Sequence, residues 1–114
     1  MSNQYEKPGV LSKEETLSIL NGNNTVEQKV HALVGSVNAI EDHAWLQELC
    51  LSYVNHKDKW IAGAAINGLG DIARIFGQLD LKLVLDKLNT TKSERKDLAG
   101  KIEDAIDDIK TFVK

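Results

Sequence analysis

Four carboxylates fall within six residues late in the chain: Glu103, Asp104, Asp107 and Asp108. Paired carboxylates do acid–base work when a pocket raises the pKa of one of them. The text around them indicates no such pocket, so no catalytic residue is assigned. On a wheel of about 100° per residue, with Leu98 and Ile109 turned to the core, Glu103 and Asp107 form one i,i+4 column. Asp104 and Asp108 form a second column on the opposite flank. Like charges so spaced cost a helix about 0.2–0.5 kcal/mol per pair, which Lys101 and Lys110 offset in part. Two readings stay open, a solvated helix face and an acidic contact for a partner.

Other residues able to do chemistry are scattered. His31, His43 and His56 lie in different helices or turns without the paired spacing of a metal site, so neither metal nor cofactor is expected. Cys50 sits among helix-period apolar residues and reads as a small buried hydrophobe rather than a nucleophile. Gly63, Gly68 and Gly70 superficially resemble a phosphate loop, but no strand precedes them and no Lys-Ser/Thr follows. Asp71 and Arg74 read as an i,i+3 surface pair. Trp45 and Trp60 read as core or hairpin-turn packing, with interface anchoring the alternative.

The chain that positions these groups has 114 residues, enough for one domain. Its 42% hydrophobic and 27% charged residues belong to a folded protein rather than a disordered tail. A net charge of −3 without any Lys/Arg run argues against a direct reader of DNA or RNA. One cysteine makes no internal disulfide and fits a reducing compartment. Met1–Glu6 is polar, which predicts no secretory leader, and no apolar run approaches the roughly 20 residues of a membrane helix. A cytoplasmic protein is expected.

Residues 1–11 read as an irregular lead-in with a turn at Pro8-Gly9, and 12–114 as one helical domain. Ser12 with Glu15 makes a capping box that opens a short helix through Leu17 and Leu20, stopped by Asn21-Gly22-Asn23-Asn24. Thr25 with Gln28 opens a second, whose stripe is Val26, Val30, Leu33, Val34, Val37 and Ile40. A third carries Trp45, Leu46, Leu49, Cys50 and Val54. Asp58 caps a fourth, with Ile61, Ala65, Leu69, Ile72 and Ile75, ending near Gly77. A short fifth helix from about Asp80 is expected to break at Asn89-Thr90-Thr91. Ser93 is expected to cap the last, whose stripe is Leu98, Ile102, Ala105, Ile106, Ile109 and Val113.

The pattern repeats. Leu17, Leu51 and Leu85 are 34 positions apart, as are Leu20, Val54 and Leu88, and Asn21, Asn55 and Asn89. Such a period belongs to units that bury their apolar faces against one another. It predicts an all-α chain of three stacked helical hairpins, an α-solenoid, with a helix bundle the competing architecture. The repeat register gathers Glu27, His31, Gly35 and Asn38, then Ile66, Gly70 and Arg74, then Glu103 and Asp107 on one surface. Ile66 is expected there as an exposed apolar residue suited to an interface core. Asn67, Asp104 and Asp108 complete the candidate partner-binding set. Ordinary packing between the long helices is the alternative.

The run Asp58-Lys59-Trp60-Ile61-Ala62-Gly63-Ala64-Ala65-Ile66-Asn67-Gly68-Leu69-Gly70-Asp71-Ile72-Ala73 resembles the second helix of a HEAT repeat. Its small residues let neighbouring helices approach, at about 1 kcal/mol of helix propensity per Gly. From Trp60 to Phe112 the chain looks like small bacterial HEAT-like proteins, some of them immunity proteins of contact-dependent growth inhibition and related polymorphic toxin systems. Residues 12–40 match more weakly. The resemblance implies a HEAT-like α-α superhelix that is not an enzyme. It would bind the toxic C-terminal domain of an effector, commonly a nuclease, and occlude its active site. A nuclease's phosphate-gripping surface is basic and complements an acidic protein. A generic protein–protein adaptor or scaffold on the same fold is the alternative function, and a HEAT-like lyase a third that lacks a catalytic constellation.

Overall fold

The computed structural model describes residues 11–114; the turn at Pro8-Gly9 and the polar stretch Met1–Glu6 lie outside the described residues. The elements are α1 (Lys13–Asn21), α2 (Val26–Ala39), α3 (His43–Tyr53), α4 (Lys59–Phe76), α5 (Leu81–Glu94) and α6 (Ala99–Phe112), with a 3-10 turn (Lys96–Leu98) leading into α6. Among the described residues there is no strand, and the protein is all-α.

Helix starts follow local side-chain chemistry. Ser12 Oγ accepts from Glu15 N at 3.1 Å while Glu15 Oε1 accepts from Ser12 N at 3.0 Å, and Thr25 and Gln28 repeat the exchange at 3.1 and 2.9 Å. Asp42, Asp58 and Asp80 cap α3, α4 and α5. At the end of α4, Gly77 turns left-handed (φ 67°) and its N–H returns to the Ala73 carbonyl at 2.9 Å.

The fifth helix departs from expectation. Asn89-Thr90-Thr91 does not break it, and α5 continues to Glu94. Thr91 is buried one turn beyond Leu88, and its Oγ1 donates to the Lys87 carbonyl at 2.9 Å. The buried stripe Val84–Leu88–Thr91 therefore runs on, and packing outweighs the weak helix propensity of Asn and Thr. Ser93 caps nothing; it lies inside α5 with its hydroxyl bonded to the Thr90 carbonyl at 2.8 Å. The chain turns instead at Arg95, and α6 starts at Ala99.

Helix α1 packs on α2, α3 on α4 and α5 on α6, while α4 is flanked by α2 and α6. The Cα envelope measures 46 × 31 × 17 Å, thin enough for two helix layers at the usual spacing of about 8–10 Å. Helix α4 is at the centre, buried almost continuously from Ile61 to Ala73 except at Asn67 and Asp71. Its glycines are where neighbours come close. A Cβ on Gly68 would lie 2.8 Å from Cys50 Sγ and 3.5 Å from Val37 Cγ2, and one on Gly70 would lie 3.2 Å from Asp108 Oδ2. One on Gly63 would lie 3.0 Å from Lys101 Cδ. Because Gly63 meets Lys101 and Gly70 meets Asp108, α4 and α6 run parallel.

The 34-residue echo survives in burial but not in every turn. Leu20, Val54 and Leu88 are all buried. Leu51 and Leu85 pack half-buried on the core, whereas Leu17 is 39% exposed. Asn21 ends α1 and Asn55 lies in the turn after α3, but Asn89 is interior to α5.

Candidate functional site

Helix α4 shows solvent a row spaced by seven residues, Trp60, Asn67 and Arg74, with Asp71 between the last two. Arg74 Nη2 pairs with Asp71 Oδ1 as the i,i+3 spacing suggested. Ile66 is not on this surface. It is fully buried, because it lies between Gly63 and Gly70 on the side of α4 that α6 covers. Trp60 also departs from the packing reading: it is 62% exposed. The indole follows the Asp58 cap, whose Oδ1 accepts from Trp60 N at 2.9 Å and Ile61 N at 3.2 Å. Trp45, by contrast, packs half-buried against the core beneath Lys13 Nζ, 5.5 Å from its ring centroid.

On α2 the candidates Glu27, His31 and Asn38 are exposed, and Asn38 Nδ2 is bonded to its own helix at the Val34 carbonyl, 2.9 Å away. Glu27 and His31 join Val26, Val30 and Trp60 in lining an open depression of about 400 Å³. A second, of about 160 Å³, adjoins it on the other side of the Trp60–Val30 pair. Its walls are Val34 and Asn67, its floor Gly63 and Ala64, and its far rim Lys101. Val26 and Val34 are 38% and 45% exposed, so with Trp60 they form an apolar strip between α2 and α4.

The carboxylates of α6 divide between two neighbours. Glu103 leans toward α5, with Oε2 2.9 Å from Lys92 Nζ. Asp108 is half-buried against Gly70 of α4. Asp104 and Asp107 are exposed. Among the described residues Asp104, Asp107 and Asp108 take part in no ion pair.

The turn that delivers Trp60 is pinned by the neighbouring turn between α5 and α6. Arg95 Nη1 donates to the His56 carbonyl at 2.8 Å and to Asn55 Oδ1 at 3.1 Å. Its Nε and Nη2 grip both Asp97 oxygens at 3.1 Å, and this hydrogen bonding holds the Asp97 carboxyl below the usual carboxylate range. Such a bidentate grip fixes geometry as well as charge.

The chain matches no family model, no curated protein and no solved structure. The site is therefore argued from its own chemistry. Among the described residues no three His, Cys, Asp or Glu side chains gather as a metal group. Burial, and secondarily the charge of Asp71, pushes the Cys50 thiol up to about 12, which leaves it a neutral packing atom. Among the described residues no helix is long and apolar enough to cross a membrane.

The expected set is thus brought together in part. Glu27, His31 and Asn67 border the apolar strip; Asn38, Arg74, Asp104, Asp107 and Asp108 lie exposed or half-exposed on the same three helices; Glu103 turns to α5. Trp60, read chiefly as packing with interface anchoring the alternative, and Val26, Val30, Val34 and Lys101 stood outside that set. The seven-residue step from Trp60 to Asn67 and Arg74 was the signal that could have found the first.

Proposed function

We propose that the chain is a binding protein rather than an enzyme: three HEAT-like hairpins stacked as a short superhelix, holding a protein partner on the α2–α4–α6 face. The observation that carries this is Trp60, 62% exposed among Val26, Val30 and Val34 and fixed by a hydrogen-bonded turn. Exposed Trp beside apolar neighbours on a rigid element is the composition of an interface hot spot. Dense packing at Gly63, Gly68 and Gly70 supports a surface that meets its partner preformed, with little ordering cost.

The partner we propose is the toxic C-terminal domain of a contact-dependent growth inhibition or related effector, a nuclease, which makes this chain a cytoplasmic immunity protein. The resemblance from Trp60 to Phe112 supports that reading, as do Asp104, Asp107 and Asp108 on α6, which among the described residues make no ion pair and would oppose a phosphate-gripping surface. Co-expression with the toxin domain encoded just upstream tests it. A stable 1:1 complex and protection of cells from that domain are expected. Absence of both refutes it, and recovery of a housekeeping complex instead would make the chain an adaptor.

A further inference from the structure

We infer that the depression beside Trp60 takes a bulky apolar side chain from a partner segment that carries a carboxylate next to it. The inference rests on the reading of this face as the docking face, and adds the chemistry of one contact. The strip itself is apolar: Trp60, Val30 and Val34 over a floor of Gly63 and Ala64. Its rim toward α6 is cationic. The methylenes of Lys101 lie across Gly63, where a Cβ would come within 3.0 Å of Cδ, so the ammonium is carried to the edge of the depression. Lys59 Nζ stands 5.3 Å from the Trp60 ring centroid. Among the described residues neither ammonium has a carboxylate at ion-pair distance. Asp97, the acid that senses Lys59, is already gripped by Arg95.

The exposed Lys101 ammonium is the one charge lining the cleft of Val30, Val34 and Trp60, while Glu27 lies in the adjoining depression beyond Val30 and Trp60. A partner carboxylate is favoured on the Lys101 side, with Lys59 on the same indole adding to the local positive charge. A basic segment would be repelled at this spot, though not at Asp104 and Asp107. The docking face therefore has two zones of opposite sign, an arrangement that fixes a partner's orientation as well as its affinity. The visible apolar strip spans only the two turns from Val26 to Val34, which suits a single anchored segment rather than the roughly 800 Å² per partner of a stable dimer.

Selection from a random dodecamer phage library on the full chain tests the assignment. Enriched peptides should pair Leu, Phe or Trp with Asp or Glu within four residues. A labelled synthetic copy should lose at least about tenfold in affinity for Trp60→Ala, a typical loss for a central anchor, and also for Lys101→Glu. A peptide with its acid changed to Lys should regain binding to Lys101→Glu. Lys82→Glu, on exposed α5, should leave affinity unchanged, and circular dichroism melts should show every variant folded. Basic or uncharged consensus peptides, no enrichment, indifference to Trp60→Ala, or Trp60-dependent self-association in sedimentation would each overturn the inference. Failure of the upstream toxin domain to bind, with the apolar–acidic selection intact, would refute the immunity reading alone.

Discussion

Gly68→Ala is the sharpest probe of how α4 is held. In an isolated helix the change would stabilise by about 1 kcal/mol, since Ala is the better helix former. Here the new Cβ would lie 2.8 Å from Cys50 Sγ, roughly 1 Å inside an ordinary contact of about 3.5–4.0 Å between nonbonded heavy atoms. Cys50 is fully buried, so its sulfur has no solvent-side space into which to swing. Val37 Cγ2, at 3.5 Å, closes a second direction. Overpacking of this kind costs about 1–3 kcal/mol. Subtracting the propensity gain leaves a net loss of about 1 kcal/mol, worth about 4 °C in melting temperature for a chain near this length.

The sulfur can be removed. Cys50→Ala alone should destabilise by about 1 kcal/mol through the lost buried atom. In that background Gly68→Ala no longer meets Sγ, and its helix-propensity gain should reappear. A double-mutant cycle from urea denaturation should then give a favourable coupling of about 1–2 kcal/mol between the two substitutions. The same Gly68→Ala effect in both backgrounds would show that the α3–α4 contact is looser than described and would refute the reasoning.

Gly63→Ala meets only the flexible methylenes of Lys101 and should be neutral or stabilising in the same assay, while Gly77→Ala, at φ 67°, should cost about 1 kcal/mol or more. The Cys50 thiol, raised to about 12, should resist a disulfide reagent at pH 8 in the native protein and react promptly in denaturant. The Lys13 hydrogen bond, then that from Trp45 N, lowers the Asp42 carboxyl from 3.8, so its contribution is present above that pH and is lost as pH falls through the lower folded value; Asp42→Asn should flatten the acid limb of a stability–pH curve. Against the upstream toxin domain, Asp104→Lys with Asp107→Lys should weaken binding and flatten its salt dependence, measured by calorimetry at two ionic strengths.

What was legible in the sequence was whatever short-range chemistry decides. Ser12 with Glu15, Thr25 with Gln28, and Asp58 satisfy amides two or three residues away, so those starts are written in the chain itself. Gly77 is legible for the same reason. The end of α5 was not, because Asn89-Thr90-Thr91 is a weak helix segment in isolation and a good one once Thr91 is buried beyond Leu88. A decision that depends on a tertiary partner cannot be made from a propensity. The repeat shows the same division. Leu20, Val54 and Leu88 keep their burial through packing, while the third Asn loses its role as a stop once the helix has a reason to continue.

The exposure expected of Ile66 failed for a geometric reason. The 34-residue register aligns helices by rotation within each hairpin, but exposure on α4 depends also on which side α6 lies. The glycines at 63 and 70 draw α6 over the side that carries Ile66, and the row one step round, Trp60, Asn67 and Arg74, becomes the surface. The small residues that identify the helix as a packing helix thus also decide which large residue is left outside it. That coupling can be tested. Gly70→Leu would drive a side chain into Ala105 Cα, which a Cβ alone would approach to 3.6 Å, and should displace α6. If α6 sets the exposure of Ile66, amide exchange at Ile66 should accelerate in that variant while Leu46, on the α3 side, stays protected. Equal acceleration at both sites would mean general unfolding, and the role given to the glycines would be wrong.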